Sequence, residues 1–479
     1  MKIATQIAEA LKSQSIAPHA WRTMELPKGK TERAPYSFNI GLDFGTAFSK
    51  CVLRDTRLDP SRAFLVAFPH GGESPLLVPS GIYCDRDVIS TPLGGLETHS
   101  HVKLAFLKMA LYATVRGKRT DPWLLDIAQH WPEDTEEELQ LKVEALVVFY
   151  LGTLLRSCLN ELKKWRPDIG EHPGDLLSVN MAVPVAHAQD EHVEEAFSRC
   201  LNFAWLLAKT PFESKMSIHD CMSAIRECKS NDDQDTCYIY PEVSANVQSF
   251  IKSPSGFPGL FLFVDVGAGT VDASTFIYHP HETNPKPISY FAADVMPLGS
   301  SQCEIRAVAE VARQLHERFR KCKEAADQGA KMTIELSSIL QQIGKALQQE
   351  LTECIRSSVA AAREKLLRPG QRSFQWKQIR ILTGGGGATD PLYTGASQRA
   401  FQPWNLEPEL LPLPLPADLE WPPDTESSVF FRRFAVAYGL SFDKTRLDGH
   451  RYPDEIGSPP SSEVEPPSPR YTAPSKEEV

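Results

Sequence analysis

The chain has 479 residues, of which 42% are hydrophobic and 23% are charged, so it can bury a large core and divide into two or three units. Its 61 acidic and 51 basic side chains give a formal net charge of −10, which opposes contact with a phosphate backbone or an anionic membrane. We therefore expect no nucleic-acid partner.

The amino-terminal residues 1–36 are predicted to form a helical extension, because the opening MKIATQIAEALKSQS has an amphipathic pattern. This stretch lacks the continuous apolar segment of a secretory signal. The longest apolar run, residues 145–155, is shorter than the roughly 20 residues that cross a bilayer. The ten cysteines form no CxxC pair, which is typical of reduced thiols inside a cell. We expect a cytoplasmic protein without a membrane span.

The predicted elements alternate between strands and helices along the chain. Proline marks residues 403–423 as a surface loop, and the composition beyond residue 444 predicts a disordered tail rich in Pro, Ser and Glu. The other predicted elements, in chain order, are strands at 37–54, a helix at 141–165, a strand at 176–185, a helix at 190–208, a hairpin at 262–278, helices within 302–367, a strand at 378–383 and a last helix at 428–442.

Two of the predicted hairpins combine buried strands with aspartates and small residues. In VDVGAGTVDAS (264–274), Asp265 ends one strand and Asp272 lies on the next. Their carboxylates would repel each other unless a cation lay between them. The intervening glycines allow backbone amides to approach phosphate oxygens closely. In DFGTAFS (43–49), the same order of aspartate and small residues follows the first strand. The two hairpins predict a phosphate site with Mg²⁺.

A glycine run follows the strand at 378–383. The stretch LTGGGGATDP (382–391) places four glycines between this strand and a predicted helix, which suits backbone packing against a nucleotide. Each of the three motifs alone is weak, because an Asp-x-Gly stretch between strands is often only a turn. Their order and detail together favour nucleotide binding.

DFGTAFS, VDVGAGTVDAS and LTGGGGATDP, in that order, resemble the phosphate-1, phosphate-2 and adenosine motifs of the actin, sugar-kinase and heat-shock chaperone ATPase superfamily. Over residues 37–443 the chain is most similar to the nucleotide-binding domain of the seventy-kilodalton heat-shock proteins. The resemblance implies a two-lobed, actin-like α/β fold, with duplicated ribonuclease-H-like mixed sheets and flanking helices around a nucleotide cleft. The implied units are lobe I at 37–258, lobe II at 259–430, a helix returning towards lobe I at 431–443 and a disordered tail at 444–479.

The resemblance also implies the cofactors ATP and Mg²⁺ and a role for each motif residue. Asp43 would hold the metal through water, Asp265 would orient the attacking water or the metal's shell, and Asp272 would assist with cations. Glu242 would be a second polar group at the hydrolytic site, and Lys103 would stabilise the transferring phosphate. The implied nucleotide contacts are Gly45, Thr46, Ala47, Lys50, Gly267, Ala268, Gly269, Thr270, Gly384, Gly385, Gly386 and Gly387.

Three features depart from the chaperone pattern. Ala47 stands where the chaperones usually carry a second hydroxyl group. Lys50 stands where actins place a phosphate-binding lysine, so Lys50 and Lys103 are both candidates for that contact. The short stretch after residue 443 leads us to expect no peptide-binding domain.

Four functions remain open at this stage. The first is a slow, chaperone-like ATPase that acts as a nucleotide switch and signals through lobe closure to protein partners on its lobes, its extension or its tail. The second is an actin-like, filament-forming ATPase. The third is a small-molecule kinase, for which the sequence offers no sugar-binding constellation. The fourth is a pseudo-ATPase that binds nucleotide without hydrolysing it.

Overall fold

The computed structural model describes the chain from residue 33 to residue 456 with internal gaps. The described ranges are 33–58, 61–68, 74–94, 102–117, 119–188, 190–210, 212–227, 236–279, 288–325, 336–368, 376–421, 430–447 and 449–456. The predicted extension at 1–36 lies outside these ranges except for its last four residues. Among those, Arg33 forms an ion pair with Asp175, with 2.7 Å between Nη2 and Oδ2.

The described residues fold as a mixed α/β structure, in agreement with the predicted class. The strands are β1 (Ser37–Asp43), β2 (Phe48–Asp55), β3 (Arg62–Leu65), β4 (Val78–Pro79), β5 (Gly81–Asp85), β6 (Val88–Ser90), β7 (Val102–Ala105), β8 (Leu176–Val183), β9 (Lys215–Ser217), β10 (Cys237–Pro241), β11 (Gly259–Val266), β12 (Val271–Tyr278), β13 (Ile288–Met296), β14 (Arg380–Gly384), β15 (Leu410–Pro412), β16 (Leu419–Glu420) and β17 (His450–Arg451).

The helices lie between and around these strands. They are α1 (Leu107–Val115), α2 (Leu125–His130), α3 (Glu136–Trp165), α4 (Val185–Ala188), α5 (Glu191–Lys209), α6 (Ile218–Glu227), α7 (Glu242–Asn246), α8 (Gln248–Ile251), α9 (Ser301–Ala325), α10 (Leu336–Leu366), α11 (Pro391–Arg399), α12 (Ala435–Leu440) and α13 (Lys444–Leu447).

The two large sheets have the same strand order and the same pattern of parallel and antiparallel pairings. The first sheet contains β10-β8-β1-β2-β3-β16, and the second contains β15-β14-β11-β12-β13-β17. In each sheet the first three strands are parallel, and the next two pairings are antiparallel. A smaller antiparallel sheet contains β7-β5-β6-β9. The five-strand pattern is therefore present twice.

Helices cover both faces of the second sheet, which explains the unbroken apolar run of β11. Leu262 and Val264 pack with Leu351 of α10 on one face, while Phe261 and Phe263 join a cluster with the chain around α12 on the other. All eight residues of β11 and of β12 are buried.

Helix α3 forms much of the core beside the first sheet, and its boundaries follow from its sequence. Thr135 and Glu138 make a capping box at its start, and Lys163 and Lys164 occupy its last turn. By length and composition α3 could cross a membrane, but 78% of its most apolar window is buried inside the fold. Core helices of this kind pass the same test, so α3 is weak evidence for a span.

The last predicted helix is shorter than expected. It was predicted at 428–442, whereas residues 430–431 are helical, residues 432–434 form a turn and α12 runs from Ala435 to Leu440; residues 428–429 lie outside the described ranges. The preceding backbone turns towards the glycine run, where the Gly385 amide donates to the Arg432 carbonyl at 3.3 Å. Helix α12 packs tightly on the first sheet, since a Cβ at Gly41 of β1 would lie 2.0 Å from the Ala437 carbonyl oxygen.

The prediction of a plain surface loop at 403–423 is wrong for residues 410–412 and 419–420, and residues 422–423 lie outside the described ranges. This segment contains β15, which extends the second sheet, and β16, which extends the first. Between them, Asp418 accepts hydrogen bonds from the buried Arg54 of β2 and from the Tyr438 hydroxyl of α12. We call residues 410–420 the strap, because they join the two sheets.

The prediction of a disordered tail from residue 444 is wrong for residues 444–456 in the parts that the structure describes. Strand β17 pairs with β13, and Leu447 and Ile456 are buried. The Lys365 ammonium group donates to the Pro453 carbonyl at 3.1 Å. A few apolar side chains therefore anchor a segment whose composition as a whole suggested disorder. The remainder, 457–479, lies outside the described residues.

Deletion of residues 446–479 should lower the free energy of unfolding by about 3 kcal/mol or more, because Leu447 and Ile456 would lose about 1.5–3 kcal/mol of burial each. Deletion of residues 457–479 is the matched control, and its polar composition predicts little change. Denaturant unfolding of the two truncations measures the difference. Equal stability of both would contradict the anchoring role of the segment.

Candidate functional site

The turns of the β1–β2 and β11–β12 hairpins line one cleft of about 560 Å³. The cleft brings together most of the residues predicted from the motifs. Lining it are Asp43, Gly45, Thr46, Ala47, Lys50, Glu242, Asp265, Gly267, Ala268, Thr270, Asp272, Gly385, Gly386 and Gly387. Three predicted residues do not line it, namely Lys103, Gly269 and Gly384.

The first hairpin places an ion pair in the cleft. Asp43 ends β1, and Lys50 is its cross-strand partner on β2. The Lys50 Nζ lies 2.5 Å from the Asp43 Oδ2. Lys50 therefore lies at the cleft, where Asp43 neutralises part of its positive charge.

The second hairpin places two carboxylates directly opposite each other. Asp265 and Asp272 are cross-strand partners, and both are buried. Burial and the nearby Glu242 and Asp43 raise the pKa of Asp265 to about 7. Burial, Glu242 and Asp265 raise the pKa of Asp272 well above its usual range. Both carboxylates would be stabilised in their ionised form by an added positive charge.

Lys108 occupies the position in the cleft that was predicted for Lys103. Lys103 is exposed on β7, outside the cleft, so that prediction is wrong. Lys108 on α1 is buried, and its Nζ lies 3.2 Å from the Glu242 Oε2. Burial alone would lower the pKa of Lys108, but Glu242, Asp43 and Asp272 raise it above its ordinary value. Lys108 is therefore a charged, buried lysine at the centre of the acidic cluster.

The backbone conformation of Phe106 explains why Lys103 and Lys108 lie in different places. Phe106, between β7 and α1, is left-handed with φ 57°, and the helix starts immediately after it. The turn directs α1 and Lys108 towards the cleft. A signal was present in the sequence, because Lys108 stands between Leu107 and Met109 in an apolar run, where a lysine needs a charged partner.

The glycine run packs against the second hairpin. Gly385 has φ 82°, and a Cβ there would lie 2.3 Å from the Asp265 Oδ1. The Gly387 amide donates to the Val266 carbonyl at 3.0 Å. Gly384 lies in β14, opposite Asp265. Only a residue without a side chain allows this close approach to Asp265.

One backbone amide of the second hairpin that was predicted to bind phosphate instead forms a hydrogen bond within the turn. The Gly267 amide donates to the Thr270 carbonyl at 3.0 Å, so it is not directed at a ligand. A Cβ at Gly269 would lie 2.8 Å from the Thr46 Cγ2 and 3.1 Å from the Trp123 Cη2. Gly269 thus brings the two turns into contact instead of lining the cleft.

Two arginines that the motifs did not indicate also line the cleft. Arg432 and Arg433 lie beside the glycine run, and Arg433 Nε would be 3.6 Å from a Cβ at Gly386. They precede α12, and no feature of the sequence FFRRF marked them as cleft residues. They add positive charge at this end of the cleft.

The charges of the cleft residues suit a cation whose coordination includes water or ligand oxygens. Four carboxylates and two lysines give a formal charge of −2 (−4 + 2) among Asp43, Glu242, Asp265, Asp272, Lys50 and Lys108. Asp272 Oδ1 is buried and has no hydrogen-bond partner within the described residues. No group of three or more His, Cys, Asp or Glu in the described ranges is arranged to hold a metal by itself. A cation would therefore need water or ligand oxygens to complete its coordination.

Comparison with known proteins finds no family model that matches the chain and no significant similarity to a curated protein.

Proposed function

We propose that the protein binds and slowly hydrolyses ATP in this cleft, in the manner of the actin-like chaperone ATPases, and acts as a nucleotide switch. The observation that carries the proposal is the pair of equivalent hairpins. Each ends a β-strand in an aspartate, Asp43 or Asp265, and each presents a turn of small residues to the same cleft. The repeated five-strand pattern of the two sheets supports the actin-like assignment.

The phosphates would bind between the two turns. Lys50 and Lys108 supply positive charge there, and Thr46 and Thr270 supply hydroxyl groups. Within the described residues the amides of Ala47 and Ala268 donate to no carbonyl, so they are available as further donors. The glycine run and the two arginines beside it would adjoin the nucleoside.

Asp43, Asp265 and Asp272 would hold Mg²⁺ through water and phosphate oxygens. When bound, the ion supplies neutralisation of charge on the phosphates. Asp272 Oδ1, buried and without a partner in the described part of the chain, is the atom that most needs such a charge nearby.

Hydrolysis requires positioning and charge stabilisation more than covalent catalysis. Asp265 would orient the attacking water and accept its proton. Lys108 would stabilise charge on the transferring phosphoryl group while its contact with Glu242 holds it in place. Hydrolysis by this route requires no nucleophilic side chain.

The switch would operate through the two sheets. A ligand that contacts both hairpins favours the closed arrangement, so ATP and ADP would change the population of closed molecules. Protein partners that bind one arrangement would detect the change. We place this activity in the cytoplasm.

ATP with Mg²⁺ should raise the Tm of the protein, because a ligand that binds only the folded state stabilises it. At a concentration about 100 times the Kd, the gain is roughly 2.7 kcal/mol. Thermal unfolding with ATP·Mg²⁺ measures it, and adenosine and ATP with a chelator serve as controls. An unchanged Tm at millimolar ATP·Mg²⁺ would contradict nucleotide binding.

An actin-like filament ATPase is the second candidate, and the position of Lys50 favours it. This lysine matches the actin pattern and lies in the cleft beside Asp43. Sedimentation with ATP·Mg²⁺ separates the two candidates, since only a filament would form a pellet that disappears after hydrolysis.

A further inference from the structure

Asn246 is a fully buried amide in direct contact with Asp265, one of the cleft carboxylates. It ends α7, and its Nδ2 donates to the Asp265 Oδ2 at 2.5 Å. Glu242 begins the same helix and contacts Lys108. A single short helix therefore holds two groups that contact charged residues of the cleft.

The surroundings of Asn246 suggest more than a packing role. Its Oδ1 is buried and has no hydrogen-bond partner in the described ranges. Burying an unsatisfied carbonyl costs free energy, and the contact that this amide makes in return is its hydrogen bond to Asp265. Space for the amide depends on Gly384, where a Cβ would lie 3.1 Å from the Asn246 Oδ1.

The contact fixes one oxygen of Asp265 and leaves the other towards the cleft. Oδ2 accepts the Asn246 hydrogen bond, whereas Oδ1 lies against Gly385, which lines the cleft. Without the amide, Asp265 would be free to rotate away from Glu242 and Asp43, which carry the same charge. The bond therefore selects one orientation of the Asp265 carboxylate.

We propose that Asn246 is a positioning residue for hydrolysis, acting by holding Asp265 Oδ2 so that Oδ1 remains directed at the attacking water. This inference rests on the proposed function, because it assigns a role within the same reaction. Asn246 itself touches neither ATP nor water in this scheme. Its effect is transmitted through Asp265.

The test compares Asn246→Leu, which keeps the size and removes the donor, with Asn246→Ser, which restores a hydroxyl donor. In Asn246→Leu, kcat for ATP hydrolysis should fall about tenfold or more, the scale expected for a lost transition-state contact. The Kd for ATP·Mg²⁺, measured by calorimetry, should change less than about threefold, because the phosphate-binding turns are unaltered. Asn246→Ser should recover part of kcat.

Asn180→Ala is the matched control. Asn180 is also a buried asparagine whose Oδ1 has no hydrogen-bond partner in the described ranges, but its Nδ2 donates to the carbonyls of Leu440, the last residue of α12, and of Phe442 rather than to a carboxylate. Its replacement should lower the Tm without a selective loss of kcat. A double variant, Asn246→Leu with Asp265→Asn, should be no slower than Asp265→Asn alone, because both act on one group.

The outcomes separate the inference from the proposed function. Wild-type protein that neither binds nor hydrolyses ATP would overturn both. Wild-type hydrolysis with an unchanged kcat in Asn246→Leu would overturn the positioning role only. Equal losses of kcat in Asn246→Leu and Asn180→Ala, additivity in the double variant, or failure of both Asn246 variants to fold would show that Asn246 is structural.

Discussion

Asp265→Asn should lower the rate of ATP hydrolysis by about tenfold or more while the protein still binds ATP·Mg²⁺. The substitution keeps the size of the side chain and removes the charge that would orient the attacking water. The other residues proposed to contact phosphate, including Lys50 and Lys108, are unchanged. Steady-state phosphate release measures hydrolysis, and calorimetry measures binding.

Asp294→Asn provides the control for Asp265→Asn. Asp294 is an exposed aspartate on β13 of the same sheet, so its replacement should leave hydrolysis unchanged. If Asp265→Asn hydrolysed ATP at the wild-type rate, the second hairpin would be only a structural turn and the ATPase proposal would lose its main support.

Asp265→Asn should also raise the stability of the ligand-free protein, although it lowers the rate of hydrolysis. The folded-state pKa of Asp265 is about 7, above the usual range of an aspartate, because of burial, Glu242 and Asp43. An acid with a raised pKa destabilises the fold as pH rises from its unfolded towards its folded pKa, since the unfolded state ionises first. Asparagine avoids this loss. The Tm advantage of Asp265→Asn should therefore be larger at pH 8 than at pH 4.

Lys108→Met should both slow hydrolysis and destabilise the protein, whereas Lys103→Met should do neither. Removing Lys108 leaves Glu242 buried without its partner, which costs about 3–5 kcal/mol for a buried pair. Hydrolysis should fall about tenfold or more, because the charge beside the transferring phosphate is lost. Lys103 is exposed outside the cleft and serves as the matched control.

A second variant separates the two effects of Lys108. Lys108→Met combined with Glu242→Gln removes both charges of the pair, so it should regain much of the lost stability without regaining activity. Denaturant unfolding and phosphate release measure the two quantities. Equal activity of Lys103→Met and Lys108→Met would contradict the assignment of Lys108.

The sequence predicted those parts of the site that depend on local pairing. Asp43 and Asp265 could be placed because strand, turn and strand are contiguous in each hairpin, and the turn length sets the cross-strand partner. Hydrophobic periodicity also predicted the main helices and several strands, but it did not predict β13 or the elements between β2 and α3. Long elements such as α3 carry many residues of one pattern, and they were predicted reliably.

Other parts depend on single residues or on contacts distant in sequence. Lys108 was not among the predicted lysines, although its place in an apolar run was a signal, because only the folded chain shows that the left-handed Phe106 ends β7 and turns α1 towards the cleft. Strands β15 and β16 have three and two residues, too few for a periodic signal, and they exist because β14 and β3 offer edges. Asn246 lies four residues beyond Glu242, and only the folded chain shows that it reaches Asp265.

The strap limits the kinds of movement that are open to the two halves of the molecule. Within the described residues, the chain passes between the sheets at 251–259, at 412–419 and at 440–450, and the middle passage contains Pro414 and Pro416. Sliding one half along the other would pull β15 from β14 or β16 from β3. Rotation about an axis near the three passages would preserve these pairings. In the proposed ATPase, release of product would then depend on the angle between the two sheets, with the greatest displacement at the rim of the cleft farthest from that axis.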